Sequence, residues 1–369
     1  MKNFIKNKIT IIHGNDGSDV RVGKMCRSLS RLGFDVCFIG WDRRPNLREK
    51  SIDLGGADFR LFKHETRNGR CSLLGQIKFT YFAIRELRKQ KAYTLCVVNE
   101  DLALMFLPFR RMLFSKIVCD IFDPFNDRHS GKGWFFSTFA KFVSFVSRTF
   151  CDHLIVTDEN RKNRLGEYSS KSSVIENFPE DPGPELCQSL PEGGLRIYVS
   201  GTLNEGRGLR QILKVVEASV DVEIVAAGWI YDDYTSEYFV NHPKVDYRGV
   251  VTLATSLVLA SQCDAVLSFY APSSDNNINA SPNKIYDALA VGRPSIVNSE
   301  VLVSEWVIER GYGFCCAYDD VDALKDLINR LRSHRLDLSI RSLKWYSEFQ
   351  DDYCWSRMEE SLEEMYRNI

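Results

Sequence analysis

Several absences narrow what this chain can be. No run of uncharged residues is long enough to cross a bilayer. Eleven cysteines are present, yet no C-x-x-C pair occurs and no His/Cys cluster has metal-ligand spacing. The nicotinamide fingerprint G-x-G-x-x-G is missing. Excess charge is nearly missing too: 48 Lys and Arg against 49 Asp and Glu leave −1, which argues against a general nucleic-acid binder. The cysteines are scattered and odd in number, and Cys37, Cys96 and Cys119 sit in apolar runs where Cys behaves as a small hydrophobe. That usage fits a reducing compartment. The opening residues, Met1-Lys2-Asn3-Phe4-Ile5-Lys6-Asn7-Lys8, lack the long apolar core of a signal peptide, so a cytoplasmic location is expected.

What remains is a globular composition, 44% hydrophobic and 26% charged over 369 residues, long enough for two domains. Residues 8–13 read as a buried strand, followed by a loop of turn formers, Gly14-Asn15-Asp16-Gly17-Ser18-Asp19. A helix at 20–32 stops at Gly33, and a strand follows at 35–40. Strand candidates near 94–99, 115–120 and 153–157 alternate with helical stretches at 73–90, 101–111 and 133–149. Alternation of this kind implies a parallel sheet covered on both faces. Between 177 and 194 prolines (Pro179, Pro182, Pro184, Pro191) and glycines concentrate, which reads as a linker. The pattern then restarts: a strand at 195–200, a glycine loop at 201–208, a helix at 209–218, and strands near 222–227, 264–269 and 294–298.

The expected architecture is therefore α/β, two tandem Rossmann-like doubly wound domains, with residues 1–178 as the first, 179–194 as linker and 195–345 as the second. Residues 346–369 form an aromatic, acidic helix that either packs back on the first domain or finishes the second.

The most explicitly punctuated stretch is Ala280-Ser281-Pro282-Asn283-Lys284-Ile285-Tyr286-Asp287-Ala288-Leu289-Ala290-Val291-Gly292-Arg293-Pro294. Ser281 suits an N-cap, Pro282 the first helical position, Gly292 a left-handed end, and Pro294 discourages continuation. Its first turn offers Ser281, Asn283 and Lys284 beside free amides at the positive end of a dipole, with Asp287 one turn deeper on the same face. An anion with a ribose behind it would fit. The glycine loop, Gly201-x-x-x-x-Gly206-Arg207-Gly208, approaches P-loop spacing, but Arg207 replaces the lysine and Gly208 the Ser/Thr that would hold magnesium. NTP hydrolysis is a poor fit; a diphosphate bound by amides and one arginine suits it better.

Two tandem doubly wound domains, a basic glycine loop and a Ser-Pro-Asn-Lys helix resemble the GT-B glycosyltransferases, especially the large family-4-like group. Ser18-Asp19-Val20-Arg21-Val22-x-Lys24 is similar to that group's first-helix signature, and the segments 223–229, 247–250, 260–269 and 281–294 follow its donor site in order. The resemblance implies transfer of a sugar from a nucleotide-diphosphate donor, UDP or GDP, to a saccharide acceptor, lipid-linked in surface polysaccharide assembly. Arg207 and Lys284 would hold the diphosphate with Ser281 and Asn283. Asp287 would take the ribose, and Gly228, Arg248 and Val250 would lie near the base. Gly14, Gly17, Gly201, Thr202 and Asn279 complete the expected donor contacts. Three positions depart from the pattern: Asn279 where a glutamate is usual, Thr202 for an arginine, and Phe122 for a histidine.

Asp123 leads as catalytic base, following a first-domain strand on the edge expected to face the cleft; Asp19, Asp120 and His129 are the expected acceptor contacts. Asp320-Val321-Asp322 matches D-x-D but reads as a helix cap, so no metal and no other cofactor is expected. A sugar-nucleotide epimerase on the same fold, or a catalytically degenerate nucleotide-sugar-binding regulator, are the alternatives; acceptor-free product analysis separates the first and donor hydrolysis the second. A monomer or weak dimer is expected. Across 107–150, Arg110, Arg111, Lys116, Lys132, Lys141 and Arg148 interleave with many phenylalanines. Such a face either packs on the sheet, the reading favoured for most of the aromatics, or rests on an anionic membrane.

Overall fold

Short apolar runs alternating with helices build two all-parallel sheets whose central strands are buried on both faces. The computed structural model describes residues 5–43, 52–66, 72–129, 133–187 and 193–369. Met1–Phe4, Lys132 and Pro191 lie outside the described residues.

The chain divides into two units, residues 1–176 with 358–369, and residues 177–357. In the first, seven strands run β1 (Ile5–His13), β2 (Asp35–Asp42), β3 (Asp58–Lys63), β4 (Ala92–Val98), β5 (Lys116–Ile121), β6 (His153–Val156) and β7 (Ser172–Val174). Their order in the sheet is 3-2-1-4-5-6-7. The second unit holds β8 (Leu195–Leu203), β9 (Val222–Ile230), β10 (Val245–Tyr247), β11 (Ala265–Ser268), β12 (Ser295–Asn298) and β13 (Gly313–Cys316), in the order 10-9-8-11-12-13. Each is a doubly wound sheet, and together they are the tandem Rossmann-like pair. In both, chain order reverses beside the first strand, between β1 and β4 and between β8 and β11. Such reversals open a crevice at the carboxyl ends of the strands.

Strands β3, β7, β10 and β13 had no counterpart in the sequence pattern. β3 is an edge strand exposed along most of its length, so it carries no apolar run, and β7 has three residues. β8 runs on to Leu203, pairing Gly201 with Gly228 and Thr202 with Trp229, so the loop itself begins at Asn204.

The proline-rich stretch is not a free linker. The Trp355 amide donates to the Pro179 carbonyl at 2.9 Å, and Asp181 accepts from Tyr346 and Gln350, both at 2.8 Å. The C-terminal helix, Trp355–Asn368, returns to the first unit from residue 358 on. There Glu359 accepts from Ser28 and pairs with Arg31, and Tyr366 packs on Phe34.

Candidate functional site

In the second unit, the loop after β8 and the segment after β11 meet at the reversal. A short turn, Glu205–Arg207, leads through Gly208 (φ +73°) into the helix Leu209–Glu217. A Cβ at Gly208 would strike the Phe269 ring, so only glycine lets the loop lie this close to β11. Arg207 is laid flat on Tyr270, its Cζ 3.7 Å from the ring centre. Its Nη1 is buried with no hydrogen-bond partner. Tyr270 is fixed by the fully buried Asn298 at the end of β12, which accepts from the Tyr270 amide at 2.8 Å and donates to its carbonyl at 3.1 Å. Glu205, the nearest acid in sequence, pairs with Arg210 instead.

The helix Asn283–Ala290 opens at the same edge. Its N-cap is Pro282, and no side chain caps it. The expectation of a Ser281 cap is thus corrected: Pro282 takes the extended cap conformation (ψ 120°), placing Ser281 one residue outside the turn. The consequence is a first turn that, among the described residues, has no side-chain cap for its amides. Gly292 ends the helix at φ +64°. Arg293 is buried, donating to the carbonyls of Cys263 and Ser261, and is structural. Lys284 reaches back over β8: its Nζ lies 2.8 Å from where a Gly201 Cβ would stand, and Gly201 itself has φ +93°. Among the described residues neither Arg207 nor Lys284 forms an ion pair. Ser281 and Lys284 are half-buried, Asn283 is exposed, and Asp287 is half-buried. The Asp287 charge reaches the buried Tyr198 phenol, which burial above all pushes up to about 12.

Gly228 (φ +145°) packs directly on Gly201; its amide donates to the Gly249 carbonyl, and its own carbonyl accepts from Tyr247 at 2.8 Å. Next to it Trp229 and Val250 are exposed. Arg248 is also exposed but bound to Asp246 through both Nε and Nη2. Thr202 is exposed on β8. Asn279 donates to the Asp275 carbonyl at 2.8 Å, closing a short helix (Asp275–Ile278), so its amide is turned onto its own backbone. Asp320 caps the helix Val321–Ser333, accepting from the Ala323 amide at 2.8 Å.

The first unit's reversal is lined by other groups. Asp19 is the N-cap of the helix Val20–Arg31, accepting from the Val22 amide. Gly14 and Gly17 lie in the loop before it, Gly17 at φ +93° against Phe38. Asp120 is fully buried and gripped by Arg21 through Nε and Nη2 at 3.3 and 3.0 Å. Burial nonetheless raises its pKa. Its expected part in acceptor contact is corrected to an interior one, because both oxygens are taken by a guanidinium that also donates to the Ile175 carbonyl. Asp123 is half-exposed, 3.5 Å from the buried Arg161. His129 leans on Phe125, with Nδ1 2.9 Å from that residue's carbonyl.

Two residues escaped the sequence reading. His13 ends β1, packs on Phe122, and keeps Nδ1 buried with no partner. Burial lowers its pKa against the opposing pull of Asp19, leaving a neutral imidazole at neutral pH. The signal was its position: a histidine at the carboxyl end of the first strand of a doubly wound sheet. Asn99 follows β4 with φ +72°, rare for a residue with a side chain. Its Oδ1 accepts from the amides of Phe122 and Asp123 at 3.1 and 3.4 Å, holding the loop that carries Asp123.

No protein-family model matches the chain, and no curated protein matches it by sequence. Solved structures do. A sucrose-phosphate synthase from Thermosynechococcus elongatus superposes with TM-score 0.77 at 14% identity over 98% of each chain. Anabaena HepE, solved in complex with UDP and glucose, gives 0.74 at 10% identity over 98% of this chain and 99% of its own. The lipopolysaccharide outer core galactosyltransferase WaaB gives 0.61 at 14% over 98% and 100%. The chain therefore has the GT-B fold, the two-domain architecture of a large class of sugar-transferring enzymes.

Proposed function

We propose that the chain is a glycosyltransferase that moves a sugar from a nucleotide diphosphate, UDP or GDP, to a saccharide acceptor. The observation that carries this is the pair of cations at the β8/β11 reversal. Arg207 and Lys284 stand without carboxylate partners beside an uncapped helix turn, and one guanidinium nitrogen is buried and unsatisfied. Anions bind such places through amides, dipole and charge together. HepE, of the same fold, is seen with UDP-glucose.

When the glycosidic bond to the diphosphate breaks, negative charge grows on the leaving phosphate. Fixed donors aimed at that charge lower the barrier without needing to reorganise, and no metal is required for that role. Arg207 and Lys284 supply two charges, and Ser281, Asn283 and the first-turn amides supply neutral donors. Asp287 takes the ribose hydroxyls, while Gly228, Trp229 and Val250 offer the base a flat, partly apolar shelf. In the first unit two groups can receive the acceptor's proton if the reaction inverts: Asp123 and His13. The second is favoured by its neutral state, whereas Asp123 is bound to Arg161.

The acceptor reading is a saccharide carried on a polyprenyl lipid, used in the cytoplasm for surface polysaccharide assembly. Incubation of the protein with UDP- and GDP-sugars, with and without saccharide acceptors, tests the function. Acceptor-dependent release of nucleoside diphosphate is expected. An epimerised sugar nucleotide formed without acceptor would point to the epimerase, and binding without any turnover to a regulator.

A further inference from the structure

The helix Trp134–Phe150 is turned the wrong way round for a helix in water. Its inner face is small and polar: Ala140, Val143, Ser144 and Ser147 are the buried residues. Polar bonds hold it to the fully buried Glu100. Ser144 and Arg148 donate to that carboxylate at 3.0 and 2.6 Å, and Ser147 donates to the Glu100 carbonyl at 2.7 Å. The bulky residues point out. Phe139, at 50% exposure, is the most covered of the five aromatics Trp134, Phe135, Phe139, Phe142 and Phe145, and Trp134 reaches 82%. At helical spacing they form one ridge. The sequence-based expectation that most of these aromatics pack on the sheet is overturned, because short serines and an alanine bring the helix axis down in their place.

A continuous exposed aromatic ridge marks an interaction surface, and its rim says which kind. Where the ridge ends, Arg110 donates to the Phe150 carbonyl and Lys171 to the carbonyls of Thr149 and Cys151. Arg111 is exposed beside Arg110. Of the acids, Asp152 pairs with Arg110 and lies 4.0 Å from Lys116, leaving cations in excess. An aromatic ridge bordered by surplus positive charge matches the boundary between acyl chains and anionic headgroups. No helix among the described residues is long and apolar enough to cross a membrane, so the helix would lie in the surface.

We infer that the outward face of Trp134–Phe150 seats the chain on an anionic lipid bilayer, its rings entering the acyl boundary and the Arg110–Arg111–Lys171 collar meeting lipid phosphates. The inference rests on the first unit alone and holds whatever the second unit binds.

Co-sedimentation of the full chain with phosphatidylcholine vesicles, with and without phosphatidylglycerol, tests it. Binding to the anionic vesicles at low salt is expected, falling as salt rises. Phe139→Ser combined with Phe142→Ser should weaken it by roughly tenfold or more, and Arg111→Gln should weaken it on anionic vesicles only. Both variants should keep the wild-type unfolding temperature, since the replaced side chains face solvent. Three results would overturn the inference: no binding at low salt, equal binding by the double variant, or vesicle-free self-association that the double variant abolishes. The last would assign the ridge to a second copy.

Discussion

The guanidinium of Arg207 lies 3.7 Å above the centre of the Tyr270 ring with Nη1 buried and unsatisfied. An orphaned buried donor costs about 1–3 kcal/mol, more when charged. Asn298 holds Tyr270 by both its backbone amide and its carbonyl, fixing the residue on whose ring the cation lies. A phosphate oxygen at the proposed donor site would remove that penalty.

Nucleotide binding should therefore depend on both cations. At a concentration 100 times its dissociation constant, UDP or GDP should stabilise the protein by about 2.7 kcal/mol. Arg207→Ala and Lys284→Ala should each abolish the thermal shift. Asn279→Ala should keep most of it, because that amide is turned to the Asp275 carbonyl. Unchanged shifts in both cation variants would dismiss the site.

Gly201→Ala should uncouple stability from binding. The new methyl would stand 2.8 Å from Lys284 Nζ, on a backbone at φ +93°. The unfavourable backbone costs about 1–2 kcal/mol, readable as a lowered urea midpoint. The displaced ammonium should weaken nucleotide binding by more than that, readable by calorimetry on the folded variant.

The pH profile should identify the group that takes the acceptor proton. Burial holds the His13 pKa below 6.5. A His13 base is then active through neutral pH and fails only as acid protonates it, so kcat/KM should show an acid limb below pH 6.5. His13→Gln should lower kcat/KM by roughly 10²–10⁴ and flatten that limb. Asp123→Asn should do less; the opposite ranking would return the role to Asp123.

The Arg21–Asp120 pair should prove costly to break from one side. Both are almost fully buried. Arg21→Met leaves a carboxylate stranded in the interior and should cost about 3–5 kcal/mol in urea unfolding, while adding Asp120→Leu should recover much of it.

Burial and the nearby Lys171 charge depress His153 to about 4 from 6.5. The unfolded chain takes that proton first, so the contribution is intact above pH 6.5 and lost as pH falls towards 4. His153→Gln should flatten the decline in urea midpoint between pH 7 and pH 5, measured against the wild type.

The sheets were legible because their strands are buried on both faces and announce themselves as apolar runs; β3, an exposed edge, has no such run to announce. Gly292 was legible because a helix ending needs one residue free to turn left-handed. The start of that same helix was misjudged by one position: Ser281 and Pro282 suit the cap and the first turn, but the helical backbone begins only at Asn283. The helix Trp134–Phe150 shows a harder limit. Periodicity reports that a helix has two unlike faces, but which one turns inward depends on Glu100, 44 residues from Ser144, and on the small residues that reach it. His13 lay in plain view as the last residue of a strand, yet an unengaged nitrogen is a property of neighbours, not of spacing.

The return of residues 358–369 to the first unit has a temporal side. Domains generally fold as units in the order they are synthesised. Here the first unit is covalently split, and all of residues 177–357 separate its two parts. Ser28, Arg31 and Phe34 therefore wait for Glu359 and Tyr366 while an entire second domain emerges and folds. The second-synthesised domain should be the first to finish, and the first-synthesised one the last.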